Sequence, residues 1–388
     1  MINRKPYFLF LLSLFSFTAI PQPQYRVIQW DVEHGLSIGN VNCMLKDAHG
    51  FLWMGTPVGL NRFDGNHFVT YYSDKYKSGT IVNSYILSMV EDSLHNIWIG
   101  TRKGLSRYAN RADTFSTISL PTNLTSSVYH IMPFWATKEE VFCIEKLSSI
   151  TAFNIHTYRR RVIVDHFQND WDFTELRPAR SILDSSSNSV WMLAAQGLLQ
   201  VSLSTGKQHE YTLACHRTRK FRGYGHRATS ICFDRKRNSI WLNSSDGLIQ
   251  FTLIDKKFHQ MVEFNTVVNE KPRINGLSYY STGGMGIDPY GRVWSGTTPH
   301  GILIYDPQTH SITGPPLSNL RENQNKSQDV QVSPNSLSPV YFDNEGIVWA
   351  KGKSTGIYQL NPINPIITNY SANPSQKFSL SDDHIQLS

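Results

Sequence analysis

The chain has 388 residues, with 37 Lys and Arg against 30 Asp and Glu for a formal charge of +7, and 12% aromatic against 17% charged side chains. So many aromatics with so few charges exclude an intrinsically disordered chain and fit a large, well-buried β protein. By length alone two domains are allowed, but repeat arrays escape that rule and form one body.

The first segment, MINRKPYFLFLLSLFSFTAIPQPQ, sets Arg4 and Lys5 before an apolar run from Tyr7 to Ile20, followed by Pro and Gln. A basic start, a short apolar stretch and a polar exit predict a secretory signal over residues 1–22, cut between Ala19 and Gln22, and hence an exported chain. Left in place, the same run is short for a membrane anchor, which needs about 20 apolar residues.

From residue 47 the chain repeats itself. DAHGFLWMGTPVGLNRFDG (47–65) is followed by DSLHNIWIGTRKGLSRY (92–108), DSSSNSVWMLAAQGLLQV (184–201), DRKRNSIWLNSSDGLIQF (234–251), DPYGRVWSGTTPHGILIY (288–305) and DNEGIVWAKGKSTGIYQL (343–360). In each copy a Trp falls six or seven places after the Asp. A worn copy, EEVFCIEKLSSITAFN (139–154), offers Phe142 in the Trp slot. The anchors stand at 53, 98, 142, 191, 241, 294 and 349. A recurrence of about 40–55 residues with four short β runs per unit is the signature of propeller blades.

In the first unit NVNCMLKD, FLWMGT, GLNRFD and HFVTYY read as four strands, each bounded by Gly, Asp or Asn. Asp47 and Gly50 suit a tight turn between the first two, since Asp hydrogen-bonds backbone two residues on and Gly accepts positive φ. One four-stranded meander cannot bury both faces. Seven stacked around an axis can, with an aromatic on each second strand filling the gap between neighbours. The expected fold is all-β, a seven-bladed propeller of four-stranded antiparallel blades over 23–375. The blades fall at about 40–72, 83–118, 127–164, 179–213, 227–264, 282–313 and 336–370. Ring closure is ambiguous: PIITNY (365–370) and QYRVIQW (24–30) both read as strands, and one of them seals the last blade so that no edge is left open.

Of the four cysteines, Cys43 and Cys232 fall on first strands and Cys143 on a second strand, where each reads as a small buried apolar residue. A bridge between Cys215 and Cys232 is conceivable in an oxidising compartment, and nothing resembles a zinc spacing.

GLSIGNVNCMLKDAHGFLWMGTPVGLNRFDGNHFVTYY (35–72) resembles the two-component regulator propeller repeat, found in the periplasmic sensor half of hybrid two-component systems of Bacteroidetes. The likeness is strong in the first two units and looser from the third onward. It implies a signal-transducing sensor that recognises an oligosaccharide released from a complex glycan and so controls polysaccharide utilisation. Such systems carry a second propeller, a β-sandwich, a membrane helix, a histidine kinase, a phosphoacceptor domain and a DNA-binding module, and any homodimer would form through those modules. None of them is legible here. Residues 376–388, with LSDDHI beside the GLSIGNV of the first unit, read as the opening of a further blade, so the chain reads as a truncated sensor piece.

A propeller has two rims. One carries the short A–B and C–D turns; the other carries the B–C turns and long D–A connections such as CHRTRKFRGYGHR (215–227) and NTVVNEKPRINGLSYYSTGG (265–284). Long loops on a rigid scaffold are where binding is placed. Charged residues of the loop-rich rim are mostly cationic, and aromatics share its loops. Arg forks hold carboxylate or sulfate in pairs of hydrogen bonds, and aromatic faces stack on sugar rings. The candidate contacts to an acidic oligosaccharide, uronic or sulfated, are Arg102, Lys103, Trp171, Arg180, Arg219, Arg222, Tyr224, His226, Arg227, Arg273, Tyr279, Tyr280, His300 and Lys353. The bland alternative is a set of solvated loops. A basic run can also serve nucleic acid, which the export signal argues against.

No motif for catalysis, cofactor or metal is present. The recurring Asp47, Asp92, Asp184, Asp234, Asp288 and Asp343 are placed by their spacing at turns, not in a carboxylate ring. Asp170 and Asp172 are the one tight acidic pair near the loop-rich rim, weak support for acid–base chemistry. Two other readings stay open, a free-standing propeller that binds protein or carbohydrate and, behind it, a propeller glycosidase or lyase.

Overall fold

The computed structural model describes residues 24–120, 130–167, 181–194, 197–213, 228–244, 247–263, 284–297, 301–314, 338–343, 346–352 and 355–363. They form seven four-stranded antiparallel sheets. In chain order the strands of each blade are lettered A to D from the axis outward. Blade 1 comprises Cys43–Lys46, Leu52–Gly55, Leu60–Phe63 and Phe68–Tyr71; blade 2 comprises Ile86–Glu91, Ile97–Thr101, Gly104–Ala109 and Thr114–Ile118. Blade 3 runs from Ile131 to Val164, blade 4 from Ser181 to Thr212, blade 5 from Ala228 to Glu263 and blade 6 from Met285 to Thr313. Blade 7 has Ser338–Phe342, Val348–Lys351 and Ile357–Ile363 as A to C.

Its fourth strand is Gln24–Trp30, antiparallel to Ile357–Ile363 with Gln24 opposite Ile363 and Trp30 opposite Ile357. The N-terminal strand therefore closes the ring, and the ambiguity between the two candidate sealing strands resolves in favour of QYRVIQW. The rival segment, 365–370, lies outside the described residues.

The aromatic plugs occupy the gaps between blades. Trp53 packs with Ile86, Ile97 and Ile99 of blade 2, Trp98 with Val141, Cys143 and Phe153 of blade 3, and Trp349 with Leu52 and Met54 of blade 1. Phe142 takes the same position against Val190 and Met192 of blade 4, so the worn copy is a full blade. The Gly after the plug answers to the next blade's innermost strand. A Cβ at Gly100 would stand 2.3 Å from the Ile131 carbonyl oxygen, and one at Gly55 would stand 2.6 Å from Ile86. The Thr that follows caps the B–C turn: the Thr101 hydroxyl donates to the Gly104 carbonyl and accepts from the Lys103 amide.

The repeated Asp does two jobs. One Asp47 oxygen accepts the His49 and Phe51 amides, closing the A–B turn. The other accepts the Trp53 indole N–H at 2.8 Å. Asp92 with Trp98 and Asp288 with Trp294 repeat the pair at 2.8 and 2.9 Å. A turn position at positive φ is filled by Gly50, Gly291 and Gly346 in three blades and by His95, Asn188 and Asn238 in three others.

Cys43, Cys143 and Cys232 are free thiols packed among apolar neighbours, while Cys215 lies outside the described residues. Burial pushes the Cys43 thiol up to about 12 despite a Gly55 backbone bond and the charge of Lys351. A thiol so protonated is inert at neutral pH. Among the described residues no helix is long and apolar enough to cross a membrane.

Candidate functional site

Because A strands run toward the A–B turns, the B–C turns gather on one rim with the D–A connections. The described residues of that rim belong mainly to blades 1 to 3. The connection after blade 1 folds back on itself, with the Ser73 amide donating to the Ser84 hydroxyl, and docks on strand D of blade 2, whose Phe115 amide donates to the Gly79 carbonyl. It presents Tyr76 to solvent and delivers Tyr85 to the mouth of blade 2.

There Arg102 lies over Tyr85, its guanidinium carbon 3.7 Å from the ring centroid, and the Arg102 amide donates to the Tyr85 carbonyl at 3.2 Å. The Tyr85 ring holds the guanidinium in place, and a guanidinium so held can grip carboxylate or sulfate with two parallel bonds. Lys103 is exposed beside it. Across the wedge, Lys146 occupies the equivalent turn of blade 3, and its amide donates to the His130 carbonyl. His130, partly buried and facing the charge of Arg102, is held below the ordinary imidazole range, burial being the larger cause.

That depression has a sign. A His held neutral by the fold contributes stability above the unfolded imidazole value, about 6.5, and loses it as pH falls through the lowered one. Melting of the parent and of His130→Gln between pH 7.5 and 5.0 is expected to show the larger loss in the parent; identical losses would remove His130 from the balance.

Of the fourteen residues anticipated from sequence, Arg102 and Lys103 are thus placed together on the loop-rich rim. Trp171, Arg180, Arg219, Arg222, Tyr224, His226, Arg227, Arg273, Tyr279, Tyr280, His300 and Lys353 lie outside the described residues. Asp170 and Asp172 do too. The structure adds Tyr85, His130 and Lys146. Lys146 was readable: four places after Phe142, it stands in register with Arg102, four after Trp98. Tyr85 and His130 precede their A strands at no fixed spacing, so nothing in the repeat marks them. Among the described residues no cluster of His, Cys, Asp and Glu could hold a metal ion. The six recurring Asp are all buried, on the opposite rim.

The two-component regulator propeller model matches residues 35–57 and 80–103, the A–B turns and plug strands of blades 1 and 2. A search of curated proteins finds no match. Among solved structures the chain is similar to the extracellular domain of the putative hybrid two component system BT3049 from B. thetaiotaomicron, at 20% identity and a TM-score of 0.59 over 87% of this chain and 42% of that one. It is also similar to the extracellular domain of the putative one component system BT4673 from the same organism, at 18% identity and a TM-score of 0.61 over 88% and 40%. A streptogramin B lyase shares the wheel at 12% identity and a TM-score of 0.58, over 87% of this chain and 98% of that one. The chain spans about two-fifths of the length of the two Bacteroides domains. At these identities the likeness is one of fold.

Proposed function

We propose that this propeller is the ligand-recognising part of a two-component sensor, exported to the periplasm, and that its loop-rich rim takes an oligosaccharide bearing carboxylate or sulfate groups released from a complex glycan. The regulator-propeller repeats at 35–57 and 80–103 support the sensor role. The observation that carries the ligand class is the Arg102 guanidinium stacked on Tyr85 at 3.7 Å, with Lys103 and Lys146 exposed around it. Neutral sugars can offer hydroxyl acceptors but no charge to match that cationic edge. An acidic unit would stack its ring near Tyr85 and set its anion against Arg102. The propeller acts by binding and does no covalent chemistry in this reading.

Calorimetry with an oligogalacturonide tetrasaccharide, a chondroitin sulfate tetrasaccharide and maltotetraose tests it. At least one acidic probe is expected to bind and the neutral one not to, and Arg102→Ala should weaken the acidic probe at least tenfold, the loss of a charge-assisted pair being about 1.5–3 kcal/mol. Equal behaviour of all three probes would sink the ligand class.

A further inference from the structure

The opposite rim, lined by A–B and C–D turns, has its own chemistry over blades 5 and 6. Here the acids are turned inward and paired. Asp234 holds Arg237 at 2.8 Å, and Arg237 also donates to the Gly291 carbonyl at 3.1 Å, tying the A–B turn of blade 5 to that of blade 6. Asp288 holds Arg292 at 2.7 Å. Outside these pairs the two turns of blade 5 present Arg235, Lys236 and Lys257 to solvent, while the Lys256 ammonium lies 5.1 Å over the Trp191 ring; the exposed acid among them, Asp255, is engaged by Thr252 and His259.

The same turns carry two exposed apolar groups. Ile254, at the tip of the C–D turn, is 83% exposed, and Tyr290, at the A–B turn of blade 6, is 58% exposed. Among the large apolar side chains described, only Tyr76 is more exposed than Ile254. Lone surface apolar residues are common. An isoleucine at a hairpin tip with cations on its own turn and on the neighbouring one is a different case, because it can enter an acyl layer while the cations meet phosphate and Tyr sits at the boundary.

The course of the chain points the same way. Gln24 pairs with Ile363 at this rim, so both the entering and the leaving chain pass it. Ile20, the last residue of the N-terminal apolar run, precedes Gln24 by four residues.

We infer that the turn-lined rim of blades 5 and 6 docks on an anionic phospholipid surface. This goes beyond sugar recognition: a propeller lying on that rim holds Arg102 and Tyr85 on the side facing away from the membrane, open to soluble fragments. A sugar would not select Ile254, and an acidic protein partner would not need it.

Because β closure by Gln24–Trp30 completes the ring without the leader, the test uses the chain from Pro23 onward. Its sedimentation with vesicles of phosphatidylglycerol and phosphatidylcholine is compared with pure phosphatidylcholine vesicles. Preference for the anionic vesicles of at least tenfold is expected, falling with added salt. Arg235→Glu with Lys236→Glu should abolish that preference, Ile254→Asp should lower partition severalfold, and Arg26→Glu on the outer wall should leave it unchanged. Intrinsic tryptophan fluorescence checks that each variant is folded. No preference in the parent, an unaffected double variant, or loss with Arg26→Glu as large as with the double variant would overturn the proposal. So would retention by soluble dextran sulfate without vesicle binding.

Discussion

Excising residues 24–30 is expected to abolish the single cooperative melt of this protein. The strand they form makes seven paired positions with Ile357–Ile363, more than three hundred residues away. Without it strand C of blade 7 becomes an open edge, and the apolar floor beneath is laid bare. One side chain shows the scale. Tyr25 is 2% exposed and meets Trp294 edge-on with centroids 5.4 Å apart. Removing a buried aromatic of that size costs about 3–5 kcal/mol, so Tyr25→Ala alone should lower the melting temperature by several degrees. Trp30 adds contacts to Phe63 and Phe68, which belong to blade 1, so the same strand also seals the seam between the last blade and the first. A synthetic peptide of residues 24–30 added to the truncated protein should restore part of the melt by strand addition. Calorimetric scanning decides the matter: a truncated chain that melts like its parent would mean that the ring closes some other way.

That strand also shows where sequence reading reached and where it stopped. Seven blades were legible because six of them carry an Asp and a Trp plug at nearly fixed distance, a local pattern that needs no knowledge of the partner. Even Phe142, with no Trp and no Asp before it, kept its place by periodicity, and the structure puts it in the same gap as the others. Closure was not legible, because QYRVIQW and PIITNY satisfy the same local rules and the choice between them is set by the geometry of the ring. The rim chemistry divides likewise. Arg102, Lys103 and Lys146 stand at a fixed step from the plug and could be read in register. Most other candidates fall in D–A connections such as 215–227 and 265–284, which carry no period to which a position could be tied. Tyr85 became part of the site only when the turn of blade 2 was seen to lie over it.

The second large effect concerns the Asp that serves both turn and plug. Asp92→Ala is expected to destabilise the protein by about 3–5 kcal/mol, since it strands the Leu94 and Asn96 amides and the Trp98 indole N–H, and each buried donor left unpaired costs about 1–3 kcal/mol. Asp92→Asn should be little better, because any orientation of the amide sets an NH2 against donors on one side. Blade 4 supplies the internal control. There the hydroxyls of Ser186 and Ser187 occupy the Asp184 carboxylate, and the buried Trp191 indole nitrogen has no hydrogen-bond partner. Trp98→Phe breaks a satisfied buried pair, whereas Trp191→Phe removes an orphaned donor, so the first should cost at least about 1 kcal/mol more than the second in chemical denaturation. Equal costs would mean that the indole bond contributes nothing and the ring alone matters. Blade 3 already combines both changes: Phe142 has no N–H to satisfy, and its turn is capped by the Thr137 hydroxyl, which accepts the Glu139 and Glu140 amides. Donor and acceptor are absent together in one blade, as expected if the carboxylate is needed where an indole must be buried.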